Sequence, residues 1–264
     1  MKDEQKLKTR PRPRREAQES DTRARLIDFV ESGVDELLPH VSVDCSIFGF
    51  HAGELKILLL KWKGVDRWCL PGGYVRKDES LDGAASRVLE ERTGLQQIYL
   101  QQYHTFGGTE RGEDVLRAIF GHLGIEASPD LWIFGRTLTV GYLALVDFAE
   151  VTPTPDHLSE EIRWWDVRDQ PPLLFDHDDI VATALATLRT QLEYQPIGRN
   201  LLPEKFTMPE LQRLYEAVLG TSLDRRNFQR KMLALGIVER LAERKRGVPH
   251  RAPHLYRFRA ESEP

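Results

Sequence analysis

The sequence predicts an α/β chain that closes on a winged helix-turn-helix. Three observations predict it. Short apolar runs of strand type flank one capped helical stretch through the first two thirds of the chain. From Phe206 onward the pattern becomes two short helices and a hairpin. Charge also changes sign between the two parts: residues 197–260 carry fourteen Lys and Arg against six Asp and Glu, net +8, leaving −12 (23 basic, 35 acidic) elsewhere in a chain of net −4. Such asymmetry points to a polyanionic partner, with a solvated charged surface as the alternative.

Taken in order, residues 1–20 form a basic tail that includes Lys6-Leu-Lys-Thr-Arg-Pro-Arg-Pro-Arg-Arg15, whose composition reads as disordered. It is either an arm that reaches a nucleic-acid groove or an inert tail. Val41, Val43, Cys45 and Ile47 alternate with Ser42, Asp44 and Ser46, the period of a half-buried strand, and Leu55–Leu60 reads as its partner. Ser80 to Arg92 is a helix, with Ser80 as cap and Thr93-Gly94 closing it. Leu95–Phe106, Leu138–Phe148 and Ile162-Arg-Trp-Trp165 read as further strands, and Asp178 to Leu192 as a helix.

The C-terminal part begins after Tyr194–Asn200. Thr207-Met-Pro-Glu210 supplies a cap, a first-turn Pro and the Glu of a capping box. Asp224 caps a second helix, Arg225–Leu235, with Phe228, Met232 and Leu235 on its apolar side. Arg225, Arg226, Gln229, Arg230 and Lys231 occupy the opposite side, residue types that reach phosphates and base edges. A hairpin follows, and its loop contributes Arg244, Lys245, Arg246, His250 and Arg251. A basic second helix beside a basic wing is a DNA-docking arrangement.

Composition sets the remaining bounds. At 264 residues the chain can hold one good core and a second small unit. No apolar run approaches the ~20 residues of a membrane span. The charged N-terminus lacks an apolar signal segment, so a cytoplasmic, soluble protein is expected. Cys45 and Cys69 sit in core segments and read as buried thiols rather than a disulfide or metal pair.

Residues 73–95 carry the chemistry. Gly73, Glu79, Arg87, Leu89, Glu91, Gly94 and Leu95 fit the frame G-x5-E-x7-R-E-U-x-E-E-x-G-U, with U aliphatic. That frame is the signature of Nudix hydrolases, and the stretch resembles it with two departures: Val88 and Arg92 stand where it has Glu. On a helix, positions 88, 91 and 92 lie on one face. Three carboxylates there would hold Mg²⁺ to polarise a diphosphate and activate water. Val88, Glu91 and Arg92 make a poor cation site and favour an anion instead. No metal, no cofactor and no enzymatic role are therefore expected, with weak residual hydrolysis left open. Glu79, Arg87 and Glu91 remain as the degenerate box. Arg87 either pairs with Glu to hold the loop to the helix or touches a ligand.

The two halves together resemble the Nudix-related transcriptional regulators, among them the NrtR repressors of NAD metabolism. The resemblance rests on Leu70-Pro-Gly-Gly73 with the box, Arg163-Trp-Trp165, Leu174-Phe-Asp-His177, Phe206–Gln212, Arg226–Lys231 and Gly247 to Tyr256. It implies an α/β/α sandwich over residues 21–194, sensing a small molecule, and a winged helix-turn-helix over 197–260. It implies a homodimer on a palindromic double-stranded operator. The implied effector is ADP-ribose, another NAD-related nucleotide, or a sugar. The cleft residues would be Arg76, Glu91, Tyr103, Arg136 and His177, the last alternatively a capping or core-edge histidine. The rival reading is a Nudix hydrolase acting on a nucleoside diphosphate derivative such as ADP-ribose. Residues about 107–136 are an insertion relative to the resemblance, with Gly112–Gly121 as an amphipathic helix. That insertion is a lid, a dimer contact or a neutral surface feature.

Overall fold

The computed structural model describes residues 13–259 apart from 64, 97, 99, 110–112, 127, 149–152, 156–158, 193–196 and 246–251. At its centre lies β1 (Leu37–His51), which pairs in parallel with β6 (Leu138–Val146) along one edge. Its other edge is shared: β4 (Gly72–Arg76) pairs antiparallel with the first part, and β2 (Glu54–Trp62) with the last. The β1–β2 hairpin turns on Ala52-Gly53, both at positive φ (52° and 86°), a conformation that Gly53 adopts without steric cost. β3 (Trp68–Cys69) and β7 (Ser159–Asp166) extend the sheet from β2, and β5 (Leu100–Phe106) closes it beyond β6. The result is a mixed seven-stranded sheet.

Both faces of that sheet are covered. Val43, Cys45 and Ile47 meet α2 (Leu81–Thr93) through Ala84, Ala85, Val88 and Leu89. Phe48, Leu55, Leu59 and Leu143 pack instead toward α4 (His177–Gln191) through Ile180, Ala184 and Leu188. The alternation read as half-buried is therefore corrected: Ser42, Asp44 and Ser46 are buried too. A strand enclosed on both sides can carry polar residues when each finds a partner inside. Here Asp44 accepts from the Thr139 hydroxyl at 2.7 Å, and Ser46 bonds the Tyr103 hydroxyl at 3.3 Å.

The helix α2 ends as its sequence predicts. Ser80 accepts from the Gly83 N–H, and Gly94 closes the helix in the left-handed region. Strand bounds shift more: β5 starts at Leu100 rather than Leu95, β6 ends at Val146 rather than Phe148, and β7 spans Ser159–Asp166 rather than only Ile162–Trp165.

The N-terminus departs from its expectation. A helix, α1 (Pro13–Glu36), begins inside the 1–20 span that read as disordered, with residues 1–12 outside the described region. Pro13 suits a first helical turn. The helix gains its packing from the insertion: Leu26 and Val30 are buried against Ile119 and Phe120 of α3 (Glu113–His122) and against Ile133 and Phe134 of a 3₁₀ turn, Trp132–Phe134. The Trp132 indole donates to the Val30 carbonyl at 2.9 Å, and Arg23 donates to the Gly124 carbonyl at 3.0 Å. A third small core thus joins the insertion to α1. Trp132→Ala should cost about 2 kcal/mol, less than a fully buried aromatic, and increase proteolysis between residues 107 and 136.

After α4, α5 (Met208–Leu219) and α6 (Arg225–Ala234) stand against a small sheet of β8 (Phe206–Thr207), β10 (His254–Phe258) and β9 (Val238–Arg244). Thr207 and Glu210 form the expected capping box, Gly220 closes α5, and Asp224 caps α6. Leu235 does not join the core as expected; it is 48 % exposed just beyond α6.

Candidate effector cleft and nucleic-acid interface

The box organises an ion network at the junction of β4 and α2. Arg87 donates to Glu79 through Nε (2.9 Å) and through its terminal nitrogen (2.6 Å), and it donates to the Tyr74 carbonyl at 2.9 Å. Glu79 also accepts the Arg76 N–H at 2.7 Å. Glu79 and Arg87 side chains are 15 % and 18 % exposed, so Arg87 holds the loop to the helix, the structural alternative of the two. The Arg87 hydrogen bond holds the Glu79 carboxyl below its ordinary range, against a smaller opposing effect of burial. A depressed folded-state value adds stability above the ordinary carboxylate range, lost as pH falls through the folded value. Glu79→Gln should therefore lower stability by about 2 kcal/mol at neutral pH. Its melting temperature should converge with wild type in acid.

The other box positions are engaged as well. Glu91 is half-exposed and bonds Arg87 at 2.9 Å and Arg76 at 3.3 Å. Val88 is 1 % exposed, so it does not share an open face with Glu91 and Arg92; it lies in the α2–sheet core. A side chain at Gly73 would come within 3.0 Å of its methyl, which explains the glycine. Arg92 Nε donates to the Gly72 carbonyl at 3.1 Å, binding the end of α2 to the loop that enters the box. Among the described residues, no group of three or more His, Cys, Asp or Glu side chains is placed to hold a metal ion.

The remaining cleft candidates separate. Arg76 reaches Glu91, and these two are brought together. Arg136 is exposed and donates to the Gly107 carbonyl at 2.6 Å, at the root of the insertion. Tyr103 and His177 lie on the α4 side of the sheet. The Tyr103 hydroxyl donates to the Ile180 carbonyl at 3.1 Å, and burial pushes its ionisation upward. His177 is 4 % exposed: its Nδ1 accepts the Leu70 N–H at 2.9 Å and its Nε2 lies 3.6 Å from Asp44. That is the core-edge role, and it comes about because β1 is covered on the α4 face as well. Asp44 was the residue missed; its signal was Gly72, where any Cβ would sit 2.0 Å from the Asp44 carboxylate.

On α6, Phe228 and Met232 are buried while Arg225, Arg226, Arg230 and Lys231 are exposed and Gln229 is partly covered. Arg230 bonds the Asn227 side chain at 3.0 Å, which preorients its guanidinium along the helix. Tyr215 of α5 meets Phe228 edge to face, centroids 5.1 Å apart, so the cationic side is turned outward by a packed aromatic pair. Arg244 is exposed and donates to the Ala252 carbonyl at 3.2 Å. Lys245 pairs with Glu210 of the capping box, so it serves the domain's own packing. Burial alone would raise the Glu210 carboxyl, but Lys245 and Thr207 outweigh it and leave it below its ordinary range. Arg246, His250 and Arg251 lie outside the described residues.

Comparison with known proteins agrees with this two-part geometry. Residues 38–185 match the model of the NUDIX domain, and residues 198–258 match that of the NrtR DNA-binding winged helix domain. The chain is 32 % identical over 227 residues to the ADPR responsive transcriptional repressor NtrR of Acinetobacter baylyi, covering 83 % of this chain and 82 % of that protein. The chain belongs to the NrtR family. It also superposes on the crystal structure of Shewanella oneidensis NrtR, with a TM-score of 0.65, 27 % identity and coverage of 83 % of this chain and 94 % of that one. The same NrtR complexed with a 27mer DNA gives a TM-score of 0.62 at 27 % identity, over 83 % and 93 % of the chains.

Proposed function

We propose that this chain is a transcriptional repressor that binds duplex DNA through α6 and the β9–β10 hairpin and responds to ADP-ribose in its NUDIX domain. The observation that carries the reading is the exposed cationic face of α6, fixed by buried Phe228 and Met232. The A. baylyi relative, described as an ADPR responsive repressor, supports the effector, and the S. oneidensis complex supports the DNA. Residues 21–194 act as the sensing unit and 197–260 as the DNA-reading unit, in a homodimer on a palindromic operator in the cytoplasm. No helix among the described residues is long and apolar enough to cross a membrane.

The box supports sensing over hydrolysis. A hard divalent cation needs several oxygen ligands in near-octahedral order. Here one carboxylate, already in two ion pairs, stands between a buried valine and an arginine bonded to backbone. That donor set does not fit Mg²⁺. Arg76, which reaches Glu91, and Arg92, the next residue along α2, instead suit the diphosphate of ADP-ribose, which guanidinium groups bind through charge-assisted hydrogen bonds. A sugar effector would gain little from these guanidinium groups. ADP-ribose at about a hundredfold above its dissociation constant should stabilise the chain by about 2.7 kcal/mol, read as a rise in melting temperature. It should also release the chain from duplex fragments of its own upstream region. No thermal shift with ADP-ribose, beside a clear shift with arabinose, would replace the effector.

A further inference from the structure

We infer that α4 is the lever joining the box to the winged helix, and that Arg189 is the positioning residue at its far end. The inference rests on the repressor reading above and adds the route by which its two sites communicate.

At the near end, three consecutive backbone positions are tied to three different elements. The Leu70 N–H donates to His177, the first residue of α4, at 2.9 Å. The Pro71 carbonyl accepts the Cys45 N–H of β1 at 2.8 Å. The Gly72 carbonyl accepts Arg92 of α2 at 3.1 Å. An anion that draws the Arg92 guanidinium toward itself leaves the Gly72 carbonyl short of a donor. The loop then has to move, and it holds the start of α4. The surrounding polar groups make that start rigid: Asp44 beside His177, and Tyr103 on the Ile180 carbonyl, are all inside the fold. A close-packed interior passes such a displacement on rather than absorbing it.

At the far end, Arg189 lies about 18 Å along α4 from His177, at 1.5 Å of rise per residue. Arg189 Nε donates there to the Val218 carbonyl at 2.8 Å, in the last turn of α5. The final carbonyls of a helix lack intrahelical donors, and a cation is favoured at that end. Leu188 and Leu192 pack in the same core as Leu211, Leu214 and Val218, so α4 and α5 move together. α5 in turn carries α6 through the Tyr215–Phe228 contact. A ligand can shift this arrangement only by favouring one state of it; the Arg92–Gly72 bond is where that preference is applied.

Arg189 is exposed, so Arg189→Met removes the joint without opening a hole. Hydrogen exchange on the full chain, with and without ADP-ribose, reads both ends in one experiment. In wild type, ADP-ribose should change exchange in residues 68–94 and also in 208–234. Arg189→Met should keep the first response and lose the second, and Arg189→Lys, whose ammonium can still reach the carbonyl, should restore it. His177→Asn, checked for intact melting, should lose the second response from the near end. A distal response that survives Arg189→Met overturns the lever, as does a wild-type response confined to 68–94. Absence of any wild-type response at 68–94 removes ADP-ribose as effector, and the lever with it.

Discussion

Replacing Arg225 and Arg230 together by alanine should weaken operator binding by roughly a hundredfold or more while leaving the melting temperature unchanged. Both side chains are exposed on α6, so neither contributes to the core that Phe228 and Met232 build. Each guanidinium that reads a base edge is worth about 1–3 kcal/mol of discrimination, and each that meets a phosphate adds about one unit to the salt slope. The two roles separate in a titration against operator and scrambled duplexes at several salt concentrations. Arg230, held along the helix by Asn227, should relax sequence preference when lost. Arg225, beside the Asp224 cap, should weaken both duplexes alike and flatten the salt dependence. Lys245→Ala should have the smaller effect on DNA and the larger one on stability, because its partner is Glu210. Binding that ignores salt, or a double variant that binds as wild type, would remove the winged helix from the interface.

The helix ends were legible in the sequence because helix caps are local chemistry. Thr207 with Glu210, Asp224, Ser80 and Gly94 each declare a helix end within a few residues, and each lies at one. The residues misread are those whose role depends on what arrives from elsewhere in the chain. Asp44 and Ser46 look solvent-facing in an alternating strand, and become interior only because α4 covers that side. Lys245 looks like a wing cation until the fold brings it to Glu210, and Leu235 looks like core until α6 ends a residue before it. The helix α1 has few apolar residues of its own and is stabilised by an insertion far downstream in the chain. His177 follows the same rule: its sequence neighbourhood left a ligand contact and a core-edge role both open, and Leu70 and Asp44 beside its two ring nitrogens give it the core-edge role.

Mixed with ADP-ribose and Mg²⁺ or Mn²⁺, the chain should leave the diphosphate intact on the timescale at which an enzyme would consume it. Enzymes accelerate such reactions by about 10⁶-fold or more, and a metal supplies much of this by polarising the phosphoryl oxygen and lowering the pKa of its water. On the sensing reading the box offers neither function. Glu91 is held by Arg87 and Arg76, and a divalent ion would have to displace both guanidinium groups to reach it. Arg92 would repel the same ion at close range. Val88→Glu does not repair the site alone, because position 88 is inside the α2–sheet core and an unpaired carboxylate there costs several kcal/mol. Arg92→Glu alone sets a second carboxylate beside Glu91 but removes the guanidinium offered to the diphosphate, so it should weaken ADP-ribose binding without creating turnover. Product release followed by chromatography, with and without chelator, measures both effects. Rapid metal-dependent cleavage by the wild-type chain, abolished by Glu91→Gln, would make this NUDIX domain an enzyme and reduce the arginine at 92 to a tolerated exchange.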